Sequence, residues 1–304
     1  MLQQTRAPAV IPYYYRFLGR YPDLRKLARS RESGLLRAWS GLGYYRRARN
    51  LRRAARQVAA AGGRLPTTYQ EWVRLPGVGP YTAAAVTSIA FGAPVASLDG
   101  NAARVMARLT AERGELGSTA VREGLRRDAQ ALLDRRHPGE FNQALMDLGA
   151  TVCVAREPRC QICPVEKWCQ ARRLGIQGEL PVRRPARAPL RLEMAVAVVS
   201  RGSAILLRRR EGNAPLLAGF WELPQVEGPK LGRGCFARLG LRRGERLGEF
   251  RHAITYHDYR ATVFRAGMQG RPRQGWRWIP LAELPGLPLT TVSRKALREA
   301  GKKL

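Results

Sequence analysis

"LPGVGPYTAAAVTSIAFG", residues 75–92, decides how the first half of this chain is read. Leu75-Pro76-Gly77-Val78-Gly79 reads as a tight glycine hairpin, and the Ala-rich run from about Thr82 reads as a helix. Glycines let backbone N–H groups turn outward at a helix start, where a phosphate can sit. Such a contact through Gly77 and Gly79 is blind to base sequence. An ordinary corner between two helices would use the same residues, so the stretch alone leaves both readings open.

Working outward, "LDGNAARV" (98–105) follows about one helix length later. Asp99 before a glycine is a natural helix cap. Paired with a phosphate-binding hairpin, the same carboxylate would lie beside a DNA backbone, facing the C1′ of an extruded nucleotide. Further on, Cys153, Cys160, Cys163 and Cys169 are spaced C-x6-C-x2-C-x5-C. Thiols this dense in a reducing compartment argue for a metal centre, and the spacing alone does not separate an iron–sulfur cluster from a Cys₄ zinc site. Arg156, Arg159, Lys167 and Arg172 around them suit a loop that also touches DNA. Cys235 stands alone and reads as a small core or surface residue.

The chain has a helical texture from Val10 to about Cys169, punctuated by Gly41, Gly43, Gly62-Gly63 and Gly100. "GELPVRRPARAPLRLE" (178–193) is rich in Pro and Arg, has no period and reads as a connector. "MAVAVVSRGSAILLRR" (194–209) then gives two apolar runs around an Arg-Gly-Ser turn, a hairpin signal. Strands are expected in "ATVFRAG" and "GWRWIPL", and a helix in "TTVSRKALREAGKKL". The expectation is an all-α domain over residues 1–172, with its hairpin at 75–81 and a cysteine loop at 153–169. A linker (173–190) and an α+β domain (191–304) follow.

The charge narrows the class of partner. Lys+Arg number 54 against 23 Asp+Glu, a net charge of +31. Codon bias toward Arg accounts for part of this, and a polyanionic partner for the larger part. No apolar run of about twenty residues suggests a membrane span, and no secretory signal opens the chain. A cytoplasmic, nucleoid-associated bacterial protein with five unpaired cysteines is expected.

With these motifs in hand, the chain resembles the helix-hairpin-helix DNA glycosylases that carry a [4Fe–4S] cluster, and among them the adenine DNA glycosylases. The resemblance runs through "MLQQT", "WSGLGYYRRARNL", "LPGVGPYTA", "LDGNAARV", "FNQALMDLGA" and the cysteine spacing, covering residues 1 to about 172. The second half resembles that family's Nudix-like domain. The fold implied is a multidomain one: an all-α helix-hairpin-helix glycosylase domain with an iron–sulfur cluster loop, then an α+β Nudix-like domain. The resemblance makes the four cysteines ligands of a [4Fe–4S] cluster and Asp99 the catalytic carboxylate, with Tyr81 and Asn101 beside it. The related bifunctional thymine-glycol enzymes carry a Lys at the position of Tyr81. A phenol cannot form their Schiff base, so a monofunctional enzyme is expected.

By the same resemblance Gln143 reads the flipped adenine, and Gln4, Thr5, Leu42 and Tyr44 lie at the lesion pair, Tyr44 as a wedge. For Tyr44-Tyr45 core packing is the simpler role. In "RHAITYHDYR" (251–260), Thr255 and Tyr256 take the place of the family's Ser and His that contact 8-oxoguanine. "GFWELPQVEGPKLGRGCFARLG" (219–240) holds Glu222 and Glu227 but no Glu cluster for Nudix hydrolysis, so recognition is the expected role. The partner implied is double-stranded DNA with A:8-oxoG or A:G mispairs, met by a monomer. The family's general-acid Glu stands two residues before the Met of "MLQQT", ahead of Met1 here. That leaves two expectations: an adenine glycosylase with a segment before Met1, or a lesion-binding protein impaired in catalysis.

Overall fold

The structure, a computed structural model, describes residues 1–302 apart from Arg6, Pro185, Ala186, Arg187, Pro215, Arg233 and Thr255, and apart from the side chains of Gln4 and Ala7. Two compact units form. One holds residues 53–186; the other joins residues 1–52 to residues 187–304.

The N-terminal helices are α1 (Ala7–Arg20), α2 (Leu24–Arg29), α3 (Glu32–Trp39) and α4 (Arg46–Ala60). Asp23 caps α2 by accepting from the Lys26 N–H at 2.7 Å. Between α3 and α4 the chain needs Gly41 and Gly43 at φ 105° and 71°.

The helical texture expected from Val10 to about Cys169 continues in the second unit as α5 (Tyr69–Val73), α6 (Pro80–Phe91), α7 (Gly100–Leu109), α8 (Thr119–Leu132), α9 (Pro138–Thr151) and α10 (Gln170–Arg173). A capping box of Thr68 and Glu71 starts α5. Helix α6 begins at Pro80, ahead of the expected Thr82, because proline suits the first helical position. The core gathers Val105, Met106, Leu125, Ala129 and Leu145 from α7, α8 and α9. Helix α9 approaches its neighbours through two glycines. A Cβ on Gly139 would stand 2.9 Å from the Ser88 carbonyl of α6, and one on Gly149 would stand 2.8 Å from the Asn101 Cβ of α7.

The C-terminal part carries β1 (Leu190–Val198), β2 (Ser200–Arg201), β3 (Ala204–Arg209), β4 (Trp221–Glu222), β5 (Gln225–Gly228), β6 (Leu241–Ile254), β7 (His257–Met268), β8 (Trp276–Pro280) and α11 (Thr291–Glu299). One sheet runs β5-β1-β7-β6; the other runs β2-β3-β4 with β8 on β3. The hairpin expected over 194–209 is reduced to β2–β3, paired at Ser200↔Ile205 and Arg201↔Ala204. The first apolar run instead enters the other sheet, where β1 lies parallel to β7 with Val196 opposite Val263. Burial on both faces explains this. Val196 and Val198 face a core shared with Val263 and Leu297, while Ala195 and Ala197 face one shared with Phe236 and Leu241. Among the described residues no helix is long and apolar enough to cross a membrane.

Candidate functional site

The glycine hairpin forms as read. Gly77 takes φ 79°, and Val78 N–H donates to the Leu75 carbonyl at 3.1 Å. Gly79 is the N-cap of α6 and offers no side-chain cap. Among the described residues, its chain neighbours aside, nothing comes within 4 Å of where a Cβ on Gly79 would stand, so packing does not require this glycine. A bare helix start with backbone amides and room for close approach is what an anion needs.

Asp99 does what a cap does: its Oδ1 accepts from the Ala102 N–H at 2.7 Å at the start of α7. The cap also fixes the carboxylate at the end of the loop that returns from α6. That loop is held by Asn142, which is fully buried. Its Oδ1 accepts from Ser97 N–H at 2.8 Å, and its Nδ2 donates to Ser88 Oγ at 2.8 Å and to the Val95 carbonyl at 2.9 Å. Tyr81 is half-buried, its hydroxyl 3.8 Å from Met146 Sδ. Burial first, and then the charge of Asp99, hold its phenol above the ordinary range. Tyr81 is therefore a neutral O–H group at physiological pH, close enough to feel the Asp99 carboxylate.

Asn101 is tied into the fold through its side chain. Its Oδ1 accepts from Arg104 Nη2 at 3.0 Å, and Arg104 also donates to the Gly149 carbonyl at 2.7 Å and, through Nε, to the Cys153 carbonyl at 2.8 Å. One turn on, Arg108 donates to Cys153 Sγ at 3.2 Å, to the Val154 carbonyl at 2.7 Å and to the Leu180 carbonyl at 2.9 Å. Both guanidiniums are buried, and among the described residues neither meets a carboxylate within ion-pair distance. The sequence reading missed Asn142, Arg104 and Arg108. The i, i+4 spacing of the two arginines beside the Asp99 motif was the available signal for them.

Cys153, Cys160, Cys163 and Cys169 line one cavity with Arg108, Glu166 and Arg172, about 310 Å³ of atom-free space partly continuous with solvent. Burial raises the Cys160 and Cys163 thiols above their usual range. Among the described residues no three His, Cys, Asp or Glu side chains are placed to hold a single metal ion. Four thiols around one cavity, with the Arg108 guanidinium on one of them, are a donor set that fits an anionic thiolate-bound cluster.

Gln143 is exposed on α9, its amide donating to the Gly139 carbonyl at 3.2 Å. In the other unit, Tyr44 is 59% exposed at φ 46° while Tyr45 is only 8% exposed. The two adjacent tyrosines therefore divide the roles: Tyr45 packs and Tyr44 projects. Leu42 is buried behind the turn. Thr5 Oγ1 accepts from Arg47 Nη2 at 3.0 Å, and the Arg47 guanidinium lies 5.2 Å from the Tyr44 ring centre. The side chain of Gln4 and all of Thr255 fall outside the described residues. Strands β6 and β7 pair up to Ile254↔His257, so Tyr256 lies in the connecting turn, exposed, its ring 4.2 Å from that of His257. Glu222 is buried between Arg208 Nε at 2.6 Å and Arg210 Nη1 at 2.8 Å.

A helix hairpin, a capped carboxylate behind it and a cysteine loop on the same unit define a DNA base-excision protein. The family models agree: residues 1–128 match the HhH-GPD superfamily base excision DNA repair proteins, and residues 194–299 match the NUDIX domain. The human adenine DNA glycosylase is 33% identical over 98% of this chain and 66% of its own length. The mouse enzyme is 33% identical over 98% of this chain and 69% of its own. Among solved structures, a thermostable thymine-DNA glycosylase aligns with TM-score 0.50 at 30% identity, over 57% of this chain and 80% of that one. The chain belongs to the adenine DNA glycosylase family of helix-hairpin-helix base-excision proteins. It spans about two thirds of the length of the human relative.

Proposed function

We propose that this protein removes adenine mispaired with 8-oxoguanine or guanine from double-stranded DNA, by monofunctional hydrolysis of the N-glycosidic bond. The observation that carries the reading is Asp99, held at the start of α7 by its own cap bond, with a phenol and not an amine at position 81. An ionised carboxylate there stabilises the cation that develops at C1′ as the bond breaks. Tyr81 donates its O–H toward that carboxylate or the sugar and offers no amine for strand cleavage. Gly77 and Gly79 grip the phosphates beside the extruded nucleotide. Gln143 on α9 reads adenine through its amide, and Asn101 fixes the rim of the site through Arg104.

Cys153, Cys160, Cys163 and Cys169 hold a [4Fe–4S] cluster, which when bound ties the 153–169 loop and its basic rim into one DNA-facing surface. In the other unit, Thr5, Tyr44 and, with Gln4, the first turn of the chain meet the lesion pair, with Leu42 packed behind the Tyr44 turn. Tyr256 in the β6–β7 turn, together with its sequence neighbour Thr255, reads 8-oxoguanine. The protein acts as a monomer in a bacterial nucleoid.

The test is single-turnover excision on duplexes with A:8-oxoG, A:G and A:T, with Asp99→Asn alongside. Release of free adenine from the first two, lost in the Asp99 variant and leaving an uncut strand with an abasic site, is expected. A strand nick without added base would refute the monofunctional chemistry. Selective A:8-oxoG binding with no Asp99-dependent release would instead support a lesion-binding protein.

A further inference from the structure

The turn that projects Tyr44 does not keep its shape by itself. Tyr44 sits at φ 46°, a conformation that residues with a Cβ rarely adopt, just after Gly41 and Gly43 at 105° and 71°. Some of the hold is local: Trp39 Nε1 donates to the Gly43 carbonyl at 3.2 Å, and Gly41 N–H donates to the Tyr45 hydroxyl at 3.2 Å. The rest comes from the Nudix-like domain, which belongs to the same compact unit. The Tyr45 ring packs on Phe220, with centres 4.3 Å apart, and Phe220 is fully buried. Arg49, one turn into α4, donates to the Ala218 carbonyl and pairs with Glu32 at 2.7 Å. From α11, Arg294 Nη2 donates to Ser40 Oγ at 2.9 Å.

The connection that carries Ala218 and Phe220 is itself pinned. Gly219 N–H donates to the Arg210 carbonyl at 3.0 Å, and Arg210 N–H donates to the Phe220 carbonyl at 2.8 Å. The Arg210 side chain is held by the buried Glu222. A continuous chain of contacts therefore runs from Glu222 through Arg210, Phe220 and Tyr45 to Tyr44.

We infer that the β3–β4 connection and α11 of the Nudix-like domain act as a buttress that holds the Ser40–Tyr45 turn, so that this domain controls lesion recognition twice: through its own β6–β7 turn and by presenting Tyr44. Phe220, Arg294 and Arg49 are then positioning residues. The inference rests on the proposal that Tyr44 enters the stack at the lesion pair. It goes further in assigning the shape of that turn to the other domain.

The experiment uses the full chain carrying Asp99→Asn, so that no base is lost, and a duplex with A:8-oxoG flanked on the 5′ side by 2-aminopurine. Insertion of Tyr44 unstacks the probe and raises its fluorescence. Tyr44→Ala should abolish the rise. Phe220→Leu and Arg294→Ala should reduce it by about threefold, the lower end of what residues in contact couple by. Affinity for an undamaged duplex should stay unchanged in both. In a double-mutant cycle on the preference for the lesion duplex, Phe220→Leu should add nothing once Tyr44 is Ala. A full rise in Phe220→Leu and Arg294→Ala, with none in Tyr44→Ala, would overturn the buttress and leave the wedge standing. A rise that survives Tyr44→Ala would overturn the wedge, and the buttress with it. A Phe220→Leu effect on preference that is equally large in the Tyr44→Ala background would show general destabilisation and also overturn it.

Discussion

Arg108 in one unit and Glu222 in the other are 2% and 1% exposed, and the protein treats the two buried charges in opposite ways. Glu222 is met by two guanidiniums, each partly open to water, so its charge is balanced within the Nudix-like domain. Arg108, with Arg104 beside it, meets carbonyl oxygens and one cysteine sulfur and, among the described residues, no carboxylate within ion-pair distance. A buried cation without an anion is costly. Burial is the main reason the Arg104 guanidinium lies below its usual range. The comparison teaches that one region balances its buried charge with its own side chains, while the other leaves a buried cation beside the cysteines, where the proposed thiolate-bound cluster would supply the anion.

The strongest way to break this contrast is to remove the anion. The purified protein should be brown, with about four iron and four sulfide per chain. Cys160→Ser should lose most of that iron and most of its soluble yield, because the metal-bound loop and the fold around α7 stand together. Stoichiometric zinc in a colourless protein would refute the cluster.

Next comes the cation. Arg108→Met should cost about 3–5 kcal/mol in urea unfolding, since it leaves several buried carbonyls without a donor. Glu222→Gln should cost less, about 1–3 kcal/mol, because the two arginines it releases can reach water. If the two losses came out equal, the contrast would fail. The smallest effect sharpens the picture at Asp99. Asp99→Ala should lose about 1 kcal/mol of stability as a cap, and Asp99→Asn close to none, since Asn caps as well as Asp. Both should lose excision, which a base-release assay reads directly.

What the sequence made legible were features written in short patterns. The hairpin at 75–79, Asp99 and the four cysteines are each read from a short local pattern, and the structure puts the first at the start of α6, the second at the start of α7 and the four thiols around one cavity. What stayed hidden depends on partners far along the chain. Asn142 looks like any polar helix residue until the loop of Val95 and Ser97 closes on it. Arg104 and Arg108 look like surface charges on a basic protein until Cys153 and Leu180 arrive above them. Nor does local pattern separate Tyr44 from Tyr45; Phe220, 175 positions away in the other domain, decides which of them is buried. The β1 strand was misread as half of a hairpin because a strand buried on both faces carries no alternation to show its partner.

The two glycines of α9 have a mechanical consequence. Gly139 lies against the α6 backbone and Gly149 against the α7 backbone, ten residues and roughly 15 Å apart along the helix axis. A helix seated on its neighbours at both ends cannot slip by a residue or roll about its axis without driving a Cβ into a carbonyl or a neighbouring Cβ. Its angular and axial settings are thus indexed, like a keyed shaft. Gln143, which sits between the two keys, inherits that indexing. Amide hydrogens in α6, α7 and α9 then exchange by one shared opening and not by three, because none of these helices can leave its seat alone.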